Sequence, residues 1–137
     1  MKIEAIMTPN PERVRTTDTV SDAVNKLFEL DVRHLPVVNT SEEVVGMLSD
    51  RDLRSHILNG RMQYEAPDEV SEEDNVAVST IMQGDVISLG TDASINDAIE
   101  LMIEQKIGAI PVVNPLDGTL VGIVSYIDVL RFAAEEL

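Results

Sequence analysis

Val44-Val45-Gly46-Met47-Leu48-Ser49-Asp50-Arg51-Asp52-Leu53 is an apolar run that passes without a break into a helical first turn. It recurs 76 positions later as Leu120-Val121-Gly122-Ile123-Val124-Ser125-Tyr126-Ile127-Asp128-Val129. Both versions keep Gly-x-x-Ser-x-x-Asp, with the glycine in the strand, Ser at its end and Asp in the first helical turn. A strand-to-helix corner used twice in 137 residues marks an internal duplication.

The duplication extends outward from the corner. Leu35-Pro36-Val37-Val38-Asn39 is matched by Ile110-Pro111-Val112-Val113-Asn114, each a compact β-branched strand. Ahead of these strands, Thr19-x-x-Asp22 and Ser94-x-x-Asp97 are helix-start patterns. Val20, Ala23, Val24, Leu27 and Phe28 follow helical spacing, as do Ile95, Ala98, Ile99, Met102 and Ile103. Arg13–Thr16 and Val86–Leu89 are short strand candidates, and helices are predicted at 50–58 and 126–136. Ile6-Met7 and Ile81-Met82 open the two copies, the first in one or two helical turns stopped by Pro9 and Pro11. Residues 59–75, acidic with Gly60 and Pro67, read as a linker. The division is therefore a first repeat with a short leading helix at 1–60, an acidic linker at 61–75 and a second repeat at 76–137. Each copy is β-α-β-β-α, too little to close a core alone. Two copies packed sheet to sheet can do so, giving an α/β (α+β) fold with short sheets and helices on the outer faces.

Composition removes several function classes. Hydrophobic residues make up 44% and aromatics 3%, so the core is aliphatic and base-stacking platforms are lacking. With no cysteine and two histidines, thiolate and His-rich metal sites are disfavoured. A net charge of −15 argues against nucleic acid as a partner. No apolar run approaches a membrane span, so the reading is a cytoplasmic protein with no membrane partner. The charge is uneven: residues 1–61 hold 8 Lys and Arg against 10 acids, and residues 62–137 hold 2 against 15. An anion would find its positive charge in the first copy.

The corner residues support two readings. Ser49 can cap the helix while Asp52 answers the positive helix end, which is a purely structural role. An acid held rigidly in a first turn can also accept two hydrogen bonds from vicinal hydroxyls such as those of ribose. Both copies keep Ser and Asp although the rest of the helix diverges, which favours the second reading. Catalytic arrangements fare poorly. Asp50 and Asp52 face different directions, Ser49 has no histidine partner by spacing, and no phosphate-binding glycine loop occurs. The acidic linker lacks the ligand spacing of a Ca²⁺ or Mg²⁺ loop. The chain reads as a non-enzyme.

The paired Gly-x-x-Ser-x-x-Asp corners, the Leu-Pro-Val-Val and Ile-Pro-Val-Val strands and the Ile-Met-Thr-Pro opening together resemble a tandem cystathionine-β-synthase (CBS) domain pair, or Bateman module. The resemblance runs from Ile6 to about Leu130. It implies two repeats packed about a pseudo-twofold axis, binding an adenosine nucleotide (AMP, ADP or ATP, with or without Mg²⁺) as a regulatory, energy-sensing ligand. S-adenosylmethionine, or no ligand at all in a structural interaction module, are the alternatives. Carried over by position, Ser49 with Asp52 and Ser125 with Asp128 would meet ribose and phosphate. Arg33, His34, Leu35 and Pro36 would lie against adenine and phosphate, as would Ile110 and Pro111 after the uncharged Gly108-Ala109. Thr16 and Thr91 would be further contacts. Only the first copy has a basic pair, with Arg51 and Arg54 nearby, which predicts one site of real affinity. The resemblance also implies a homodimer through apolar helix faces (Phe132, Ala133 and the helix at 20–30) and an unidentified regulated protein.

Overall fold

The computed structural model describes residues 1–30, 32–58 and 76–137. The linker read at 61–75 lies outside the described residues. The elements, in order, are β1 (Thr8–Pro9), β2 (Val14–Arg15), α1 (Val20–Leu30), β3 (His34–Val38), β4 (Val44–Ser49) and α2 (Asp50–Leu58). They continue with β5 (Leu89–Gly90), α3 (Ile95–Gln105), β6 (Ala109–Val113), β7 (Leu120–Ser125) and α4 (Tyr126–Glu136). Single 3-10 turns occur at Ile3–Ala5 and Val78–Thr80. This is an α+β fold of two repeats.

Two compact units are formed, and they do not follow the order of the sequence. One comprises the described residues of 12–40 and 45–86, with a sheet ordered β2-β3-β4. The other comprises residues 1–11, 41–44 and 87–137, with a sheet ordered β1-β7-β6-β5. In each sheet the short strand runs parallel to the Pro-Val-Val strand: β2 with β3, and β5 with β6. β7 is antiparallel to both β6 and β1.

The units differ from the repeats because each leader packs on the body of the other repeat. Ile3, fully buried, joins Ala98, Ile110, Val112 and Val124 in the core of the second unit. Its N–H donates to Ala93 O at 2.8 Å, and the Ile95 N–H donates to Met1 O at 3.0 Å. Val78, also fully buried, joins Val14, Val20, Leu35, Val37 and Leu48 in the first unit. The Val78 N–H donates to Asp18 O and the Val20 N–H to Val76 O, each at 2.8 Å. A fully buried Val or Ile contributes about 1.5–3 kcal/mol, so each leader is a substantial part of the core it enters.

The leader meets the helical expectation only at its short end. It makes one 3-10 turn and then extends, because Thr8 and Pro9 pair with Ile123 and Gly122 on the edge of the sheet. Proline is tolerated there, at an edge position. The corner glycines answer to the same segments. A Cβ on Gly122 would collide with Sδ of Met7, and a Cβ on Gly46 with Sδ of Met82. Each glycine makes room for the leader methionine that crosses its strand.

Candidate functional site

Both corners form as read. Ser49 Oγ accepts from the Asp52 N–H at 3.1 Å, and Asp52 Oδ2 accepts from the Ser49 N–H at 2.9 Å. At the second corner the Asp128 N–H donates to Ser125 Oγ at 3.3 Å. Asp128 Oδ2 accepts from both the N–H and the hydroxyl of Ser125, at 2.8 and 3.1 Å. The same reciprocal cap also starts α1 (Thr19 with Asp22) and α3 (Ser94 with Asp97). The box alone therefore does not single out a ligand site. Burial does separate the pairs, since Asp22 and Asp97 are exposed while Asp52 and Asp128 are half-buried. A carboxylate that uses one oxygen for its cap keeps the other for hydroxyl donors, and partial burial of the residue lessens the competition from water.

The residues leading into the Pro-Val-Val strands are tied to these corners. The Asp50 N–H donates to Arg33 O at 2.9 Å, and its counterpart Tyr126 N–H donates to Gly108 O at 3.0 Å. This brings Arg33 and His34 to the acidic first turn of α2. His34 is half-buried, and its pKa is lowered from 6.5 chiefly by burial. Asp50 and Asp52 oppose that shift, and Arg33 adds to it. Arg51 and Arg33 are exposed, and the Arg54 guanidinium pairs with Asp50 Oδ2 at 3.1 Å.

Other sequence-named residues are placed differently. Leu35 and Ile110 are fully buried core, and Pro36 and Pro111 are buried in the same strands, so the side chains of Leu35 and Ile110 serve packing. The Thr16 N–H donates to Val38 O at 3.1 Å and the Thr91 N–H to Val113 O at 3.2 Å. Each threonine thus sits at the end of its Pro-Val-Val strand away from the corner of its own unit, roughly 13 Å along the strand. A cavity of about 270 Å³ opens between α1 and α2, lined in part by Val24, Phe28, Val32, Arg33, Leu53 and Arg54.

Two further residues stand outside the sequence-named site. His56 is 7% exposed, and its Nε2 has no hydrogen-bond partner among the described residues. Gln83 donates its side-chain amide to Asp52 Oδ1 at 3.4 Å. Aligning Ile6-Met7-Thr8 with Ile81-Met82-Gln83 shows a long amide in one copy where the other has a short hydroxyl. Among the described residues no group of His, Cys, Asp and Glu could hold a metal ion, and no helix is long and apolar enough to cross a membrane.

The sequence matches the CBS domain over residues 3–59 and again over 78–135. The chain belongs to the CBS domain family. An uncharacterised protein of Methanopyrus kandleri is 31% identical over 84% of this chain and 54% of its own length. The chain thus spans about half the length of that relative. The structure of CBSX2 in complex with AMP superposes with a TM-score of 0.81 at 29% identity, covering 98% of this chain and 96% of that one. CBSX2 is a chloroplast CBS protein of Arabidopsis thaliana. The CBS pair of protein MJ0100, in complex with 5′-methylthioadenosine and S-adenosyl-L-methionine, superposes at 0.84 with 20% identity over 100% of this chain and 98% of that one. At that identity the likeness concerns the fold.

Proposed function

We propose that this CBS pair is a non-catalytic regulatory module that binds an adenosine nucleotide at its Ser/Asp corners and passes occupancy on to a regulated protein. The observation that carries the reading is the pair of half-buried carboxylates, Asp52 and Asp128. Each is locked by its own cap through Oδ2, leaving Oδ1 outside the cap. Ribose hydroxyls donate to such an oxygen, and the AMP held by CBSX2 supports the choice of ligand class. Arg33 and Arg51 supply the charge for phosphate at the first corner and His34 a ring N–H donor, whereas Gly108 and Ala109 offer neither at the second. A phosphorylated ligand therefore gains more at the first corner. Signalling is linkage: the ligand shifts a conformational equilibrium by the difference in its affinity for the two states.

Isothermal titration with AMP, ADP, ATP and S-adenosylmethionine, with and without Mg²⁺, tests this. Asp52→Ala or Asp128→Ala should remove one set of sites each. Silence from every ligand in the wild-type protein favours a purely structural interaction module. S-adenosylmethionine binding in place of AMP shifts the ligand to that class.

The homodimer belongs to the same proposal. It is supported by exposed apolar side chains on the helices of each unit: Phe28 is 82% exposed and Leu130 59%. Phe132 and Ala133 are half-buried. Sedimentation velocity should show a dimer for the wild type and a monomer for Phe28→Asp combined with Leu130→Asp.

A further inference from the structure

The two corners are built alike, yet among the described residues only one has a protein side chain at its second carboxylate oxygen. Gln83 is held beside β4 by a pair of backbone bonds with Met47, each at 3.0 Å, and its amide donates to Asp52 Oδ1. Thr8 occupies the matching place in the other unit. It pairs with Ile123 as Gln83 pairs with Met47, and it follows the methionine that crosses Gly122 as Met82 crosses Gly46. Threonine ends at its γ atoms, two bonds short of a glutamine amide. Asp128 Oδ1 accepts no hydrogen bond among the described residues.

We propose that Gln83 is a built-in competitor for the sugar hydroxyls, setting the affinity of the Asp52 corner below what its carboxylate could otherwise deliver. This rests on the reading of the corners as ribose sites. A hydroxyl reaching Asp52 Oδ1 must displace the Gln83 amide, while one reaching Asp128 Oδ1 displaces water alone. The two corners then sort ligands by chemistry. Phosphate favours the Asp52 corner through Arg33 and His34, and a bare nucleoside favours the Asp128 corner. The Gln83 bond is long for N–H···O, so the handicap it imposes is modest. Because Gln83 follows the turn Val78–Thr80, which is anchored by the buried Val78, displacement also loosens a side-chain tie between that segment and α2.

The Asp128→Ala protein retains only the Asp52 corner and provides the background for the test. Titration with AMP compares it with Asp128→Ala/Gln83→Thr and Asp128→Ala/Gln83→Ala. Gln83 is exposed and threonine already serves at the matching position, so both variants should fold. Each should tighten AMP by roughly two- to fivefold, the range of one weak hydrogen bond. In the reciprocal Asp52→Ala background, Thr8→Gln should weaken AMP by a similar factor. 2′,3′-Dideoxyadenosine monophosphate, which has no hydroxyls to compete, should be indifferent to residue 83. Unchanged or weaker AMP binding in both Gln83 variants, or an equal gain for the dideoxy ligand, overturns the proposal and leaves the nucleotide reading standing. No AMP binding by the wild-type protein overturns both.

Discussion

His34 shows how one side chain can report on a site. Burial holds its pKa below 6.5 despite the attraction of Asp50 and Asp52. A depressed value means the folded protein binds fewer protons than the unfolded chain. The stability tied to neutral His34 is therefore present above about pH 6.5 and is lost as the pH falls through the folded value. His34→Gln should flatten that part of the stability profile, as thermal melts between pH 8 and 5 would show. A bound phosphate works in the opposite sense and raises the histidine pKa. Wild-type protein should therefore take up protons on binding AMP near pH 7, measured as a dependence of the binding heat on buffer ionisation. His34→Gln should take up fewer, the contribution from AMP itself being common to both. Gly46 makes a second point at this scale, one of shape alone. Gly46→Ala should destabilise by about 1–3 kcal/mol through overpacking against Met82, and Met82→Ala should relieve much of that in denaturant titrations of the double variant.

At the scale of elements, the helices were the most legible part. The spacing of Val20, Ala23 and Leu27 and of Ile95 and Ala98 marks faces that do become buried. The caps at Thr19, Ser49, Ser94 and Ser125 form with their aspartates as partners. The short strands were less so. β5 covers Leu89–Gly90, sharing one residue with the expected Val86–Leu89, and β1 forms at a proline, since a two-residue strand is defined by its partner across the sheet, which local sequence does not record. The corner was legible as a cap, but its difference from the other two caps lies in burial, a property of the assembled unit. The four boxes supply their own controls. Asp97→Ala and Asp22→Ala should each lower stability by about 1 kcal/mol without altering AMP affinity, whereas Asp52→Ala should alter both. Equal loss of AMP binding in all three would reduce the corners to caps.

For the molecule as a whole, the crossing of the leaders was the part hidden from sequence. Ile6-Met7 and Ile81-Met82 mark equivalent positions, but equivalence does not say which body each leader joins. Ile3→Ala should destabilise by about 2–5 kcal/mol, with hydrogen exchange rising in residues 87–137. Val78→Ala should act on residues 12–56 instead. The reverse pattern would contradict the division into units.

The crossing also bears on how such a chain could be cut and how it could have arisen. Cleavage anywhere between residues 59 and 75 severs the backbone between the repeats, yet each fragment keeps the leader that completes the other's core. The two pieces are complementary halves of a split protein, each an unfinished fold and the other's missing part. An ancestor with a single repeat would have faced the same shortage, and could have met it by exchanging leaders with a second copy of itself. On that view, gene duplication turned an obligate pair of chains into one.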